Sequence, residues 1–170
     1  MKRSLVFAGL AFALVVTAIS GVRVTAAPND RAQINTLYQR FSTAFQHKDL
    51  NGIMSVYVRG NSLFVFDVTP PRQHVGWNDY RNDWKDTFAG FKGQPAFSVN
   101  DLDVTISGDL AYTHSIQHVA GKLAKGGSIT ANVRVTDVLR KINGKWLIVQ
   151  EHVSIPVDFT TMKPDIMSRP

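Results

Sequence analysis

The chain has 170 residues, 44% of them hydrophobic, with 19 basic and 13 acidic side chains and a net charge of +6. It contains no cysteine, which excludes disulfides, thiol catalysis, cysteine-bound zinc and iron–sulfur clusters. The length calls for one domain and is sufficient to bury a core without cross-links.

The first element is a leader. Lys2 and Arg3 precede an almost unbroken apolar run over residues 5–19, and Thr25, Ala26 and Ala27 supply small residues at its exit. That order is the secretory signature, and the run is shorter than the ~20 residues of a spanning helix. The alternative is a permanent N-terminal anchor. We expect residues 1–26 to be a signal peptide, with no stable membrane insertion after cleavage and a periplasmic or secreted product. Lys2, Arg3 and Arg23 leave with the leader, so 16 basic residues remain against 13 acidic ones, a net charge of +3. No cluster of Lys and Arg survives to track phosphates, so nucleic acid is not an expected partner.

Asn29 and Asp30 suit the N-cap of a first helix, and Ile34, Leu37, Phe41 and Phe45 form its apolar stripe. Asp49 suits the cap of a second, shorter helix with Ile53, Met54 and Tyr57 turned inward. Residues 63–66 read as a strand running into Asp67, ended by Pro70 and Pro71. A third helix fits from about Asn78, with Trp77, Tyr80, Trp84 and Phe88 at its spacing. After Pro95 the period changes to two. Phe97 and Val99 alternate in one phase and Leu102, Val104 and Ile106 in the other, so a β-bulge is expected at Asn100-Asp101. Further strands are predicted over residues 110–119, 129–141 and 146–155, with Asn143-Gly144 as a hairpin turn. The domain is placed at residues 27–157, and residues 158–170 read as an irregular tail. Helices followed by antiparallel strands define an α+β fold. The expected form is a cone-shaped roll, with N-terminal helices packed on a strongly curved, mostly antiparallel sheet around an internal pocket.

This order resembles the SnoaL-like or ketosteroid isomerase-like proteins of the nuclear transport factor 2-like superfamily. The matching pieces are Ala44-Phe45, Lys48-Asp49-Leu50 and Ile53-Met54 in the helices, then Phe66-Asp67-Val68-Thr69-Pro70-Pro71, and Gly76 leading to Tyr80 and Trp84. Arg134-Val135-Thr136, Gly144-Lys145-Trp146-Leu147-Ile148-Val149 and Glu151-His152-Val153-Ser154 complete the set. The resemblance spans about residues 30–157. It implies the fold and not a reaction, because the family includes isomerases, cyclases, dehydratases, binding domains and assembly domains.

Alternate residues of a strand share a face. Val133, Val135, Asp137 and Leu139 form one face of their strand. In the last strand Leu147, Val149, Glu151 and Val153 are set against Trp146, Ile148, Gln150, His152 and Ser154. The apolar faces are expected to point at the helices, which places Asp137 and Glu151 inside the cone. His114 joins them if the face it shares with Tyr112, Ile116 and His118 is inward. His114, Asp137, Glu151 and Asp67 are therefore the candidate catalytic cluster, suited to proton abstraction beside a carbonyl or to elimination of water. Equally, these groups can satisfy one another, or bind a ligand without chemistry. Asp67 reads either as a pocket base or as an acceptor shaping the turn. Tyr57, Trp84, Tyr112, Phe88, Val135 and Val153 are the candidate pocket walls. Tyr57 and Tyr112 could each stand in for the tyrosine of a ketosteroid isomerase, but neither matches that triad residue by residue. His152, with Trp146 and Arg134, is assigned to the outer sheet face, at a homodimer interface.

No cofactor is expected. His114 and His118 lie ~13 Å apart along a strand, too far to share one ion. His47 and His74 fall in loops, so no metal site is assigned; a site using His114 with Glu151 or Asp137 is the one alternative. The expected function is an exported small-molecule pocket protein with a small, partly apolar ligand. Its alternatives are an isomerase or lyase using the pocket carboxylates, and an oligomerisation module.

Overall fold

In the computed structural model residues 28–168 are described; the expected signal peptide, residues 1–26, lies outside the described residues. Helix α1 (Pro28–His47) buries Ile34, Leu37, Phe41 and Phe45 as its spacing requires, and Tyr38 between them. Its start differs from expectation. The described helix already includes Pro28 and Asn29. Asp30 is therefore inside the first turn and not the cap. Its Oδ1 accepts hydrogen bonds from Lys141 Nζ at 2.6 Å and Trp146 Nε1 at 3.2 Å, pinning the start of α1 to the far hairpin of the sheet.

Asp49 caps α2 (Leu50–Met54) as expected, accepting from the backbone N–H of Asn51 and Gly52. Gly52 lies where α1 and α2 meet. A Cβ there would sit 2.8 Å from Ala44 Cβ and 2.5 Å from the capping carboxylate. Tyr57 follows α2 and pairs as a lone parallel bridge with Ile148. Strand β1 (Phe64–Phe66) pairs with β2 (His74–Val75), so His74 is on a short strand with its ring buried and not in a loop, and His47 likewise is the last residue of α1. Helix α3 (Trp77–Gly90) then buries Tyr80, Trp84 and Phe88.

Four long strands complete the fold: β3 (Phe91–Ser107), β4 (Leu110–Leu123), β5 (Ser128–Ile142) and β6 (Lys145–Ser154). The sheet order is β2-β1-β6-β5-β4-β3, antiparallel except for β1 against β6. The register of β3 breaks between Asn100 and Asp103, with Asp101 at φ 52°, so the expected bulge is present. Asn143 and Gly144 both take positive φ in the β5–β6 turn, as a tight hairpin needs.

A second bulge was not expected. Val138 pairs with Gln150 but Leu139 pairs with Ile148, leaving Val149 as the extra residue. One inserted residue flips side-chain parity. Trp146 and Ile148 therefore point into the core beside Leu139, while Glu151 still points inward on the other side of the bulge. The assignment of Trp146 to the outer face is corrected on this ground. The tail is also more regular than expected, since β7 (Val157–Asp158) and β8 (Lys163–Pro164) form a small hairpin. Among the described residues no helix is long and apolar enough to cross a membrane.

Gly52→Ala is expected to lower stability by about 1–3 kcal/mol, because the added methyl forces α1 and the Asp49 cap apart. Urea unfolding of the two proteins measures the difference.

Candidate functional site

Strand register places the central groups. Val65, Glu151, Asp137, Thr113 and Val104 are successive cross-strand partners on β1, β6, β5, β4 and β3. They form one row across the inner face, with strands ~4.8 Å apart. All five are buried. The next row, Phe66, His152, Thr136, His114 and Asp103, lies on the opposite face of the same strands.

That register decides the fate of the proposed cluster. Asp137 and Glu151 stand side by side inside, as expected. His114 does not join them. Thr113 is the partner of Asp137, so His114 must face outward, where it is 61% exposed and 3.7 Å from Asp103 Oδ2. Tyr112 shares that outer face and is half exposed, so it is not a pocket wall. The aromatic and imidazole side chains made the outer face of β4 look like the buried one. The inner face carries instead the small or polar Ala111, Thr113, Ser115 and Gln117.

Three tyrosines take the place expected for the imidazole. Tyr57 donates to Glu151 at 2.9 Å, and Tyr80 donates to Glu151 Oε1 at 2.6 Å. Tyr38 donates to Asp137 Oδ2 at 2.6 Å and accepts from Thr113. Burial pushes all three hydroxyls well above their ordinary pKa, so they remain donors. Burial also raises both carboxyls, against the opposing pull of the tyrosine hydrogen bonds. Asp137 is pushed up to about 6, and Glu151, facing Asp137, goes well above its ordinary value. Two carboxyls on neighbouring strands cannot both ionise cheaply, so the pair retains a proton.

Glu151 also reaches a cavity of about 160 Å³. Phe41, Phe45, Trp84, Phe91 and Phe97 contribute its aromatic walls, and Val119, Val133 and Val153 its aliphatic side. Asp67 and Asp83 lie at the same cavity. Asp67 accepts from the Val68 N–H through Oδ1 at 2.6 Å, the turn-shaping contact read for it, and its Oδ2 lies 3.4 Å from the Tyr80 hydroxyl. Tyr80 thus links Asp67 to Glu151. Behind α3, the buried ring of His74 lies between Asp79 and Asp83, at 3.4 and 3.6 Å.

Of the expected walls, Trp84 and Val153 line the cavity, while Tyr57, Phe88 and Val135 are buried without lining it. His152 and Arg134 are exposed on the outer face, as assigned. Among the described residues no group of three or more His, Asp and Glu side chains could hold a metal ion. Tyr38 was missed, although it falls four residues after Ile34 and three before Phe41, within the apolar stripe of α1.

Residues 34–158 match the SnoaL-like domain family, and the chain belongs to that family. Solved structures share the cone. A nuclear transport factor 2-like protein of unknown function from Pseudomonas putida is 26% identical, with a TM-score of 0.75 over 85% of this chain and 99% of that one. A nuclear transport factor 2-like superfamily protein from Salmonella enterica is 17% identical, with a TM-score of 0.70 over 79% of this chain and 96% of that one. A ketosteroid isomerase-like protein from Erwinia carotovora is 20% identical, with a TM-score of 0.64 over 75% of this chain and 97% of that one. Comparison with curated proteins finds no match.

Asp137 yields a signed pH dependence. Its folded pKa of about 6 lies above the ordinary 3.8, so the native state holds a proton that the unfolded chain releases earlier. Its contribution to stability is complete below 3.8 and is lost as pH rises through about 6. The double variant Asp137→Asn, Glu151→Gln is expected to lose that fall, as read from urea midpoints between about pH 4 and 8.

Proposed function

We propose that the chain is an exported small-molecule-binding protein, whose ligand occupies the aromatic cavity with a polar end against Glu151. The observation that carries this reading is a buried carboxyl, held by Tyr57 and Tyr80, at the wall of a cavity with a large aromatic and aliphatic lining. Apolar cavities of about 150 Å³ accept benzene, so a ligand portion about the size of one ring fits. Export rests on the leader pattern of residues 1–26. The exposed Phe66, Leu110 and Tyr112 on the outer sheet face support a homodimer formed through that face.

A second reading, an isomerase or lyase, draws on the bridge from Asp67 through Tyr80 to Glu151. It sets a more exposed carboxylate and a buried, proton-retaining carboxyl at one cavity, the two ends of an acid–base step. His114, on the outer face, has no part in it.

Mass spectrometry of the protein recovered from the extracytoplasmic fraction tests the first reading. The expected polypeptide starts at Ala27 and carries a small molecule that is absent from a cavity-filling Val119→Trp variant. The same molecule in equal amount on both proteins would place the ligand elsewhere.

A further inference from the structure

The charge of the cavity lining is one-sided. Asp67, Asp83 and Glu151 all reach it, and none of its lining residues is Lys, Arg or His. Yet basic residues outnumber acidic ones over the chain as a whole. The remaining wall is dominated by aromatic rings. Phe45 lies at the centre of the group, stacked on Phe97 at 4.2 Å and edge-on to Trp84 at 5.7 Å. Trp84, 8% exposed in the same wall, leaves its indole N–H without a hydrogen-bond partner. The faces of aromatic rings carry negative potential and attract cations, and carboxylates beside them add to that attraction.

Resting on the pocket reading above, we propose that the ligand is a small organic cation, a protonated amine with one ring or an equivalent apolar body. The body packs among Phe41, Phe45, Trp84 and Phe97, and the ammonium group faces Asp67, Asp83 and Glu151. An anion would meet three carboxyl groups and no Lys, Arg or His in the lining, since His74 lies behind Asp83 and outside the cavity. A neutral ligand would leave Asp67 and Glu151 without a basic partner, Asp83 alone having the His74 ring at 3.6 Å. Burial disfavours the ionised forms of Asp83 and Glu151, and a cation in the cavity is the partner that restores them.

Benzylamine, benzyl alcohol and benzoate have nearly one shape and three charges, so calorimetric titration with the three isolates the effect of charge. Benzylamine is expected to bind the mature protein about tenfold or more tightly than benzyl alcohol, with benzoate weakest. The variant Asp67→Asn, Asp83→Asn keeps the side-chain shapes and the Val68 hydrogen bond. It should lose most of the preference for benzylamine while binding benzyl alcohol within about twofold of the parent. Thermal melting checks that it is folded. Benzyl alcohol binding as well as benzylamine would overturn the cation assignment and leave the pocket reading standing, as would an undiminished preference in the double variant. Benzylamine binding that persists in Val119→Trp would overturn the pocket reading itself. If none of the three probes binds, both fall.

Discussion

Two carboxyls lie side by side in the middle of this sheet, and the rest of the structure is arranged to make that tolerable. Asp137 is 1% exposed and Glu151 is 3% exposed. An uncompensated buried carboxylate costs several kcal/mol. Proton retention by the pair and three tyrosine hydrogen bonds offset that cost. The donors come from three separate places. Tyr38 is on α1, Tyr57 follows α2, and Tyr80 is on α3. Each must arrive at one row of the sheet, so the carboxyl pair fixes the position of every helix relative to the strands.

The same requirement gives the irregular features of β6 a purpose. Were Val149 paired in regular alternation, without the bulge, Glu151 and Trp146 would lie on opposite faces of the strand. With it, Trp146 reaches Asp30 at one end while Glu151 reaches the cavity at the other. One bulge thus serves the helix anchor and the site together. Bulges often serve in this way, re-aiming a side chain beside a functional site.

Much of this was legible in the residues themselves. The apolar stripe of α1, the Asp49 cap, the bulge near Asp101 and the Asn143-Gly144 turn all carry local signals, because each is dictated by neighbours in the chain. Asp137 and Glu151 were also readable, since their strand-mates are apolar. What escaped was set by register between strands. Nothing local marks Val149 as inserted, and Trp146 looked outward because simple alternation put it there. His114 misled because β4 buries small and polar residues while exposing its aromatic ones, the reverse of the usual weighting. Thr113 faces inward because Asp137 is opposite it, a fact invisible until the two strands are paired.

The anchor at Asp30 has a consequence for the order of events in folding. It joins the first turn of α1 to Lys141 and Trp146, partners 111 and 116 residues later. That contact closes a loop containing most of the domain, and loops of such span close late. The helix that emerges first is therefore secured by some of the last residues to be made. Until they arrive, the aromatic stripe of α1 lacks its final clasp.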